Sequence, residues 1–275
     1  MRWPLVAVLC LVLLTGCSGL SGLDGGDRSA TTPAPVPTVT ERASTPSAPP
    51  GLDADGLAGV GYLSNGHERA LENRSYTFRE RYTMTTTRDT GRLRVTRNET
   101  TAVVDGRNYR HDLERTRILP NRTVERYEQS MYGDGRVWFE RRDDGTVDYY
   151  RGDLQFYQDE FAGEAAFYVD QYVSANRSWT QRVRRNGSLY YRLVGVGGTP
   201  PGISQAESYR VRLLVAPDGL VRQLSVRYTT TIGSQTETVS YRFWYEDVDS
   251  TTAPSPDWLD EARQRTGNRS DGSNR

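Results

Sequence analysis

The chain has 275 residues, a mass of 31.0 kDa, and 35 basic and 35 acidic side chains. All of the basic side chains are arginine. A net charge of zero without a basic block lacks the positive footprint on which nucleic-acid affinity depends, so we expect no nucleic-acid partner. Two cysteines and two histidines offer little for thiolate or imidazole chemistry. We therefore expect no metal and no cofactor.

The N-terminal residues 1–16 predict an export signal. Arg2 precedes an apolar run over residues 4–14, which is too short to cross about 30 Å of hydrocarbon as a helix. The run ends in Leu14-Thr15-Gly16-Cys17, which resembles the lipobox of lipoproteins. This resemblance implies that the mature chain begins at a lipidated Cys17 and is held in the cell membrane on its extracytoplasmic side. An ordinary signal peptide with an incidental cysteine is the alternative.

Two polar segments flank one predicted globular domain. Residues 17–50 are rich in Ser, Thr, Gly, Ala and Pro and cannot bury enough apolar surface to offset their ordering entropy. We interpret them as a disordered tether. Residues 51–266 form the predicted domain, and residues 267–275 form a polar tail that we also expect to be disordered.

Within the domain, the first predicted element is a helix over residues 57–71, where apolar residues recur at helical spacing. From residue 76 the period changes to two, which indicates half-buried antiparallel strands separated by Gly, Asp and Asn turns. A second helix is predicted over 161–175, and Ser255-Pro256-Asp257 predicts the start of a third. The predicted strands are 76–84, followed by a turn at Asp89-Thr90-Gly91, and then 92–104, 108–119, 123–132, 136–142, 147–150, 178–185, 188–195, 208–216, 220–232 and 237–248.

The predicted fold class is mainly β, within α+β. About ten to eleven strands in meander order share one apolar face, which must curl around something. Either two sheets pack as a sandwich, or one curved sheet forms an unclosed barrel with the helices on its concave face. The second arrangement accounts better for helices at three positions along the chain.

Catalytic chemistry has no candidate residues. His67 lies on an apolar helical face and His111 in a strand pattern, and neither stands in a motif with a nucleophile or a metal ligand. The sequence contains no nucleophile elbow, zinc-protease motif or phosphate-binding loop. Carboxylate pairs exist, but the spacing selects none of them. We do not expect an enzyme.

Six sequons could carry N-linked glycans on an exported domain, and most fall at the ends of predicted elements. Chance is the alternative, because Asn, Arg, Ser and Thr are abundant. The six asparagines are Asn73, Asn98, Asn121, Asn176, Asn186 and Asn268.

Aromatic side chains recur on one strand face. Tyrosine suits the wall of an amphipathic cavity, and it suits the core of an ordinary antiparallel sheet equally well. The alternation leaves both interpretations open. The candidate lining residues are Tyr76, Phe78, Tyr82, Tyr228, Tyr241, Phe243 and Tyr245.

The chain resembles the surface lipoproteins of halophilic archaea. The lipobox, the Pro- and Thr-rich tether, Ser75-Tyr76-Thr77-Phe78 and Phe167-Tyr168-Val169-Asp170-Gln171-Tyr172 carry this resemblance. The order of helices and strands is similar to that of the LolA and LppX lipid and lipoprotein carriers. That similarity implies an unclosed barrel that holds acyl chains, and no catalytic residues come with it.

Two functions follow as expectations. The first is a membrane-anchored lipoprotein that binds or carries an apolar ligand such as a lipid. The second is a glycosylated envelope protein, structural or interacting, with a filled core and no ligand cavity.

Overall fold

The structure is a computed structural model, and it describes residues 47–154, 160–203 and 205–267. The described elements are three helices and eleven strands. They are α1 (Val60–Arg69), β1 (Tyr76–Arg88), β2 (Gly91–Asp105), β3 (Asn108–Ile118), β4 (Val124–Asp134), β5 (Val137–Asp143), β6 (Val147–Asp153), α2 (Glu160–Tyr172), β7 (Arg177–Arg185), β8 (Ser188–Val196), β9 (Glu207–Val215), β10 (Val221–Ile232), β11 (Gln235–Glu246) and α3 (Leu259–Gly267).

All of these strands form one antiparallel sheet in the order β6-β5-β4-β3-β2-β1-β11-β10-β9-β8-β7. The first and last strands of the order do not pair, so the sheet is not closed. Pairing of β1 with β11 joins two meanders that the chain builds one after the other. The predicted mainly-β fold with about eleven strands and an unclosed barrel is confirmed.

Turn chemistry fixes the hairpins. Asn186 and Gly187 connect β7 to β8 with φ of 49° and 80°. Positive φ at both central residues is the geometry of the type I′ turn, whose twist matches that of the flanking strands. Register shifts between β9 and β10 add local irregularity to the otherwise regular ladder.

Alternation along the strands separates the two faces of the sheet. On β1, Tyr76, Phe78 and Glu80 are buried on one face, which we call the concave face, while Arg79 and Arg81 lie on the opposite, convex face. The register carries this alternation across the sheet: Glu80 lies opposite Glu99 on β2 and Phe243 on β11.

Helices α1 and α2 contact each other and contribute buried side chains to the main core. Leu63 of α1 and Val169 of α2 are fully buried there. Both helices thus cover the concave face, as predicted from their positions in the chain.

Helix α3 differs from its prediction in two ways. It begins at Leu259 rather than at Ser255-Pro256. It also packs on the convex face, where Leu259 and Ala262 form a second core with Phe139 and Tyr149 of β5 and β6. The reason lies in two consecutive residues of β5, whose side chains point to opposite faces of the sheet. Trp138 faces the concave side and Phe139 the convex side, so β5 presents an apolar side chain to each face.

Residues just before the predicted domain start at residue 51 contact the domain. Pro49 is buried, and the Tyr191 hydroxyl donates to the Ser47 carbonyl oxygen at 3.0 Å. The predicted signal segment, Cys17, most of the predicted tether and the sequon at Asn268 lie outside the described residues.

Candidate functional site on the concave face

The centre of the concave face is filled by aromatic rings. Tyr241 of β11 is fully buried and stacks on Tyr172 of α2, with ring centroids 4.3 Å apart. Phe243, also fully buried, contacts Phe78 at a centroid distance of 5.4 Å. Tilted and edge-to-face contacts of this kind stabilise beyond their buried area. The Tyr172–Tyr241 contact holds α2 against the sheet.

His67 of α1 is part of this centre and acts as a structural side chain. Its Nδ1 accepts a hydrogen bond from the Val221 backbone N–H at 3.1 Å, and its Nε2 lies 3.1 Å from the Tyr245 hydroxyl. Burial lowers the pKa of His67 to about 3. Since Nδ1 accepts the Val221 hydrogen bond, the neutral ring carries its proton on Nε2. This N–H can donate to the Tyr245 hydroxyl oxygen, so both contacts are satisfied.

A cluster of charged side chains lies beside the aromatic centre, and two of its acids, Glu80 and Glu99, are buried. We call Glu80, Arg97, Glu99 and Glu164 the acidic cluster. Arg97 Nε donates to Glu80 Oε1 at 2.8 Å, and the Tyr241 hydroxyl donates to Glu80 Oε2 at 3.0 Å. The Glu80 side chain has no exposed surface. Its guanidinium and hydroxyl partners favour its ionised form, although burial raises its pKa.

Glu99 is the unusual member of the acidic cluster. It lies directly opposite Glu80 in the β1–β2 ladder, where two like charges repel. Its carboxylate is 3.6 Å from Nδ1 of His111, and burial lowers the pKa of that imidazole. Burial, followed by the charges of Glu80 and Glu164, raises the pKa of Glu99 to about 8. Glu99 therefore holds its proton at neutral pH.

Helix α2 connects to the acidic cluster through Tyr168. The Tyr168 hydroxyl donates to Glu164 Oε1 at 2.8 Å and accepts from Arg97 Nη2 at 3.3 Å. Tyr209 of β9 separately connects the end of α2 to the sheet, since its hydroxyl donates to the Tyr172 carbonyl oxygen and accepts from the Ser174 N–H at 2.9 Å. The acidic cluster thus sits at the interface between sheet and helix, with the Arg97 side chain 31% exposed at its open side.

A cavity of about 540 Å³ opens where α1 ends, near the start of β1 and the end of β2. Leu71, Tyr76 and Val103 are buried and form its apolar floor. Its remaining wall includes Ala162 of α2 and the charged side chains Glu68, Glu72, Arg74 and Asp105. We call this space the amphipathic cavity, because an apolar floor meets a charged rim.

The rim of the amphipathic cavity is acidic on balance. Arg74 is its one basic residue, and that guanidinium is already engaged by Asp218 at 3.1 Å and Asp249 at 2.7 Å. Glu68, Glu72 and Asp105 contribute negative charge to the same rim. An anionic group would therefore be repelled at the mouth, whereas a neutral or cationic group would not.

The structure brings the seven predicted lining aromatics together on the concave face. Six are buried; Tyr82 is partly exposed and lies under the Arg97 guanidinium at 5.9 Å. Tyr76 lines the amphipathic cavity. The contacts of Phe78, Tyr241 and Phe243 are those of a packed core. For Tyr82, Tyr228 and Tyr245, ligand contact stays a prediction.

The five sequon asparagines within the described residues are all exposed. Asn73 follows α1 with φ of 57°, and Asn186 occupies the β7–β8 turn. The Asn121 carboxamide is itself engaged, because it accepts from the Thr123 N–H at 3.0 Å. Exposure satisfies one requirement of glycosylation, which stays a prediction at each position.

The sequence patterns missed the acidic cluster. Glu80 occupies an inward-facing position between Phe78 and Tyr82. An acid at an apolar position of the alternation was the one feature of the sequence that indicated a buried charge here. Glu99 and Glu164 gave no such signal, since their proximity depends on strand register and helix docking. Within the described ranges, no group of three or more His, Cys, Asp or Glu residues is arranged to hold a metal ion.

The model of the family described as "Family of unknown function (DUF7537)" matches residues 2–262. The chain belongs to this family. No curated protein matches this DUF7537 chain. The described part of the chain contains no helix of the length and apolarity that a membrane crossing requires. The finer resemblance to surface lipoproteins of halophilic archaea stays a prediction.

Three solved structures are similar to the DUF7537 chain at low identity. A DUF1329 family protein from Desulfovibrio piger is 13% identical, with 74% of this chain and 97% of that chain covered and a TM-score of 0.25. A β-barrel-like DUF1849 protein from Brucella abortus is 10% identical, with coverages of 64% and 98% and a TM-score of 0.26. A putative outer membrane lipoprotein-sorting protein domain from Vibrio parahaemolyticus is 10% identical, with coverages of 74% and 95% and a TM-score of 0.22. With TM-scores this low, these likenesses carry no argument about function.

Proposed function

We propose that the protein is a membrane-anchored extracytoplasmic lipoprotein that binds or carries an apolar ligand such as a lipid. The observation that carries the proposal is the amphipathic cavity of about 540 Å³. Its volume lies within the roughly 300–1,000 Å³ typical of small-molecule sites. The anchor is supported by the lipobox-like sequence that ends in Cys17.

The cavity walls favour one kind of ligand. An apolar chain would lie over the buried floor of the cavity and contact Val104, which is 38% exposed, and Ala162 in the wall. The polar end of the ligand would lie at the rim beside Glu68 and Asp105. Because this rim is acidic, we expect a neutral or cationic polar end rather than a free carboxylate.

A variant that fills the cavity tests the proposal. Ala162→Trp places an indole in the wall of the amphipathic cavity, so uptake of a fluorescent neutral lipid by the delipidated protein should fall strongly. Phe167→Trp is the matched control, since this α2 residue is 59% exposed and absent from the cavity wall. Its uptake should equal that of the wild type. Equal uptake by all three proteins would place the ligand elsewhere, and no uptake by any of them would refute binding.

The glycosylated envelope protein without a cavity is the second candidate. The packing of Tyr172, Tyr241 and Phe243 supports it, because rings fill the centre of the concave face. The exposed sequon asparagines also fit this candidate. Absence of lipid uptake, together with glycans found by peptide mass spectrometry, would favour it over the carrier.

A further inference from the structure

The convex face of β7–β11 concentrates arginine. A groove of about 610 Å³ on this face is lined by five arginines and by no acidic residue. We call these five side chains the arginine face. They are Arg185, Arg192, Arg210, Arg212 and Arg242, and all of them are exposed.

The arginine face is not neutralised by the chain itself. Elsewhere on the described residues, acids pair with arginines: Asp112 with Arg110 at 2.8 Å, and Glu125 with Arg117 at 2.8 Å. None of the ion pairs found among the described residues involves an arginine of the arginine face. Positive charge is therefore available there for a partner, although the whole chain has no net charge.

The register arranges the groove in rows across the strands. One row reads Trp179, Val194, Arg212, Ser225 and Arg242, from β7 to β11. Since neighbouring strands are about 4.8 Å apart, Arg212 and Arg242 are separated by roughly 10 Å with a neutral hydroxyl between them.

The adjacent row on the same face carries one arginine and three uncharged side chains. It reads Arg192, Leu214, Gln223 and Trp244. The Arg242 guanidinium lies 4.9 Å from the Trp244 ring centroid, and Trp179 is 50% exposed at the end of the groove. The groove thus combines guanidinium groups, neutral hydrogen-bonding groups and an accessible aromatic plane.

The chemistry of these groups restricts the partner. A guanidinium pairs with a carboxylate through two parallel hydrogen bonds. Ser225 suits a neutral hydroxyl, and the Trp179 indole offers a flat surface to the C–H face of a sugar ring. A peptide cannot add to β8, β9 or β10 as a further strand, because each is paired on both sides. A groove also suits a chain better than the plane of a membrane.

We propose that the arginine face binds an acidic polysaccharide whose carboxylates pair with Arg212 and Arg242 while its neutral hydroxyls contact the groups between them. This site is separate from the amphipathic cavity and does not depend on a lipid ligand.

Calorimetry with the full chain tests this site, with a polygalacturonate oligomer as the probe and a dextran oligomer of equal length as the neutral control. We expect binding of polygalacturonate alone, with an affinity that falls as salt is raised. Arg212→Glu combined with Arg242→Glu should weaken binding by about tenfold or more, as expected for loss of charged hydrogen bonds. Arg126→Glu, an exposed site on β4, is the matched control and should change binding less than about twofold.

Trp179→Ala tests whether the sugar ring itself contributes to binding, in addition to the attraction between charges. It should weaken binding to polygalacturonate several-fold while leaving the salt dependence unchanged, because it removes no charge. Circular dichroism and thermal melting confirm the fold of each variant, and Arg212→Gln with Arg242→Gln provides a milder pair.

Three outcomes would overturn the proposal. Polygalacturonate that fails to bind the wild type would do so directly. Poly-glutamate that binds as tightly as polygalacturonate would assign the face to an acidic peptide. Anionic phosphatidylglycerol vesicles that bind more tightly than the glycan, through the same arginines, would assign it to a membrane surface.

Discussion

Replacement of Glu99 by glutamine should stabilise the protein at neutral and alkaline pH. The carboxyl group is 6% exposed and lies opposite Glu80, so the folded state opposes its ionisation. Glutamine keeps the shape of the protonated acid without a titrating proton. At a pH where the unfolded wild type is ionised at residue 99 and the folded wild type is not, the difference lowers the free energy of unfolding. The glutamine variant does not ionise and lacks this loss.

The magnitude follows from the shift in pKa. The pKa of Glu99 is raised from 4.5 to about 8, chiefly by burial. Below pH 4.5 both states are protonated and no penalty exists. As pH rises, the unfolded chain ionises first, and each unit of pH costs the folded state about 1.4 kcal/mol until its own group ionises near pH 8. The stability advantage of Glu99→Gln should therefore grow by about 3.5 kcal/mol between pH 5 and pH 8.

Urea unfolding of both proteins at pH 5 and pH 8 measures this change, provided that the m-values agree. Groups that do not contact Glu99 cancel in the difference between the two proteins. Glu114→Gln is the control, because this β3 acid is exposed, and its effect should stay within about 0.5 kcal/mol at either pH. A Glu99→Gln advantage that is the same at pH 5 and pH 8 would refute the assignment of a neutral buried acid.

Three further predictions concern other parts of the fold. His67→Gln should destabilise the protein at pH 7.5, and this loss should shrink by about 2.5 kcal/mol at pH 4.5, because the folded wild type keeps its imidazole neutral to about pH 3 while the unfolded chain protonates near 6.5. Denaturant titrations at the two pH values would contradict this if the loss were constant. Gly133→Ala should cost about 1–3 kcal/mol, since a Cβ there would lie 2.6 Å from a Tyr109 ring carbon, whereas Gly61→Ala in α1, with open space around it, should gain up to about 1 kcal/mol. A Gly133→Ala protein that melts no lower than the wild type would show that the close approach to Tyr109 does not limit this position. Cys17→Ser should move the protein from the membrane fraction to the medium; retention in the membrane, shown by fractionation and immunoblotting, would disprove the lipid anchor.

Most of the fold was predictable because alternation and turn residues act locally. The first strand, predicted from the alternation over 76–84, is observed at Tyr76–Arg88, and the Asn186-Gly187 turn forms where its sequence predicts it. The position of α3 was not predictable in the same way. Its side depends on Phe139, which faces away from the main core only because of the phase of β5.

The sites were less predictable, because they arise between distant segments. Glu80, Glu99 and Glu164 meet through strand register and the docking of α2, and no local pattern connects them. The arginine face shows the same limit. Its members come from four strands, so the sequence contains no basic block even though Arg212 and Arg242 share one row.

Native mass spectrometry of the protein, purified gently from its own membrane, tests the proposed function most directly. A complex that carries one lipid, releases it on activation in the gas phase and is lost in Ala162→Trp is the predicted result. Only ligand-free protein, with no lipid regained when the sample is incubated with the membrane extract, would contradict the proposal.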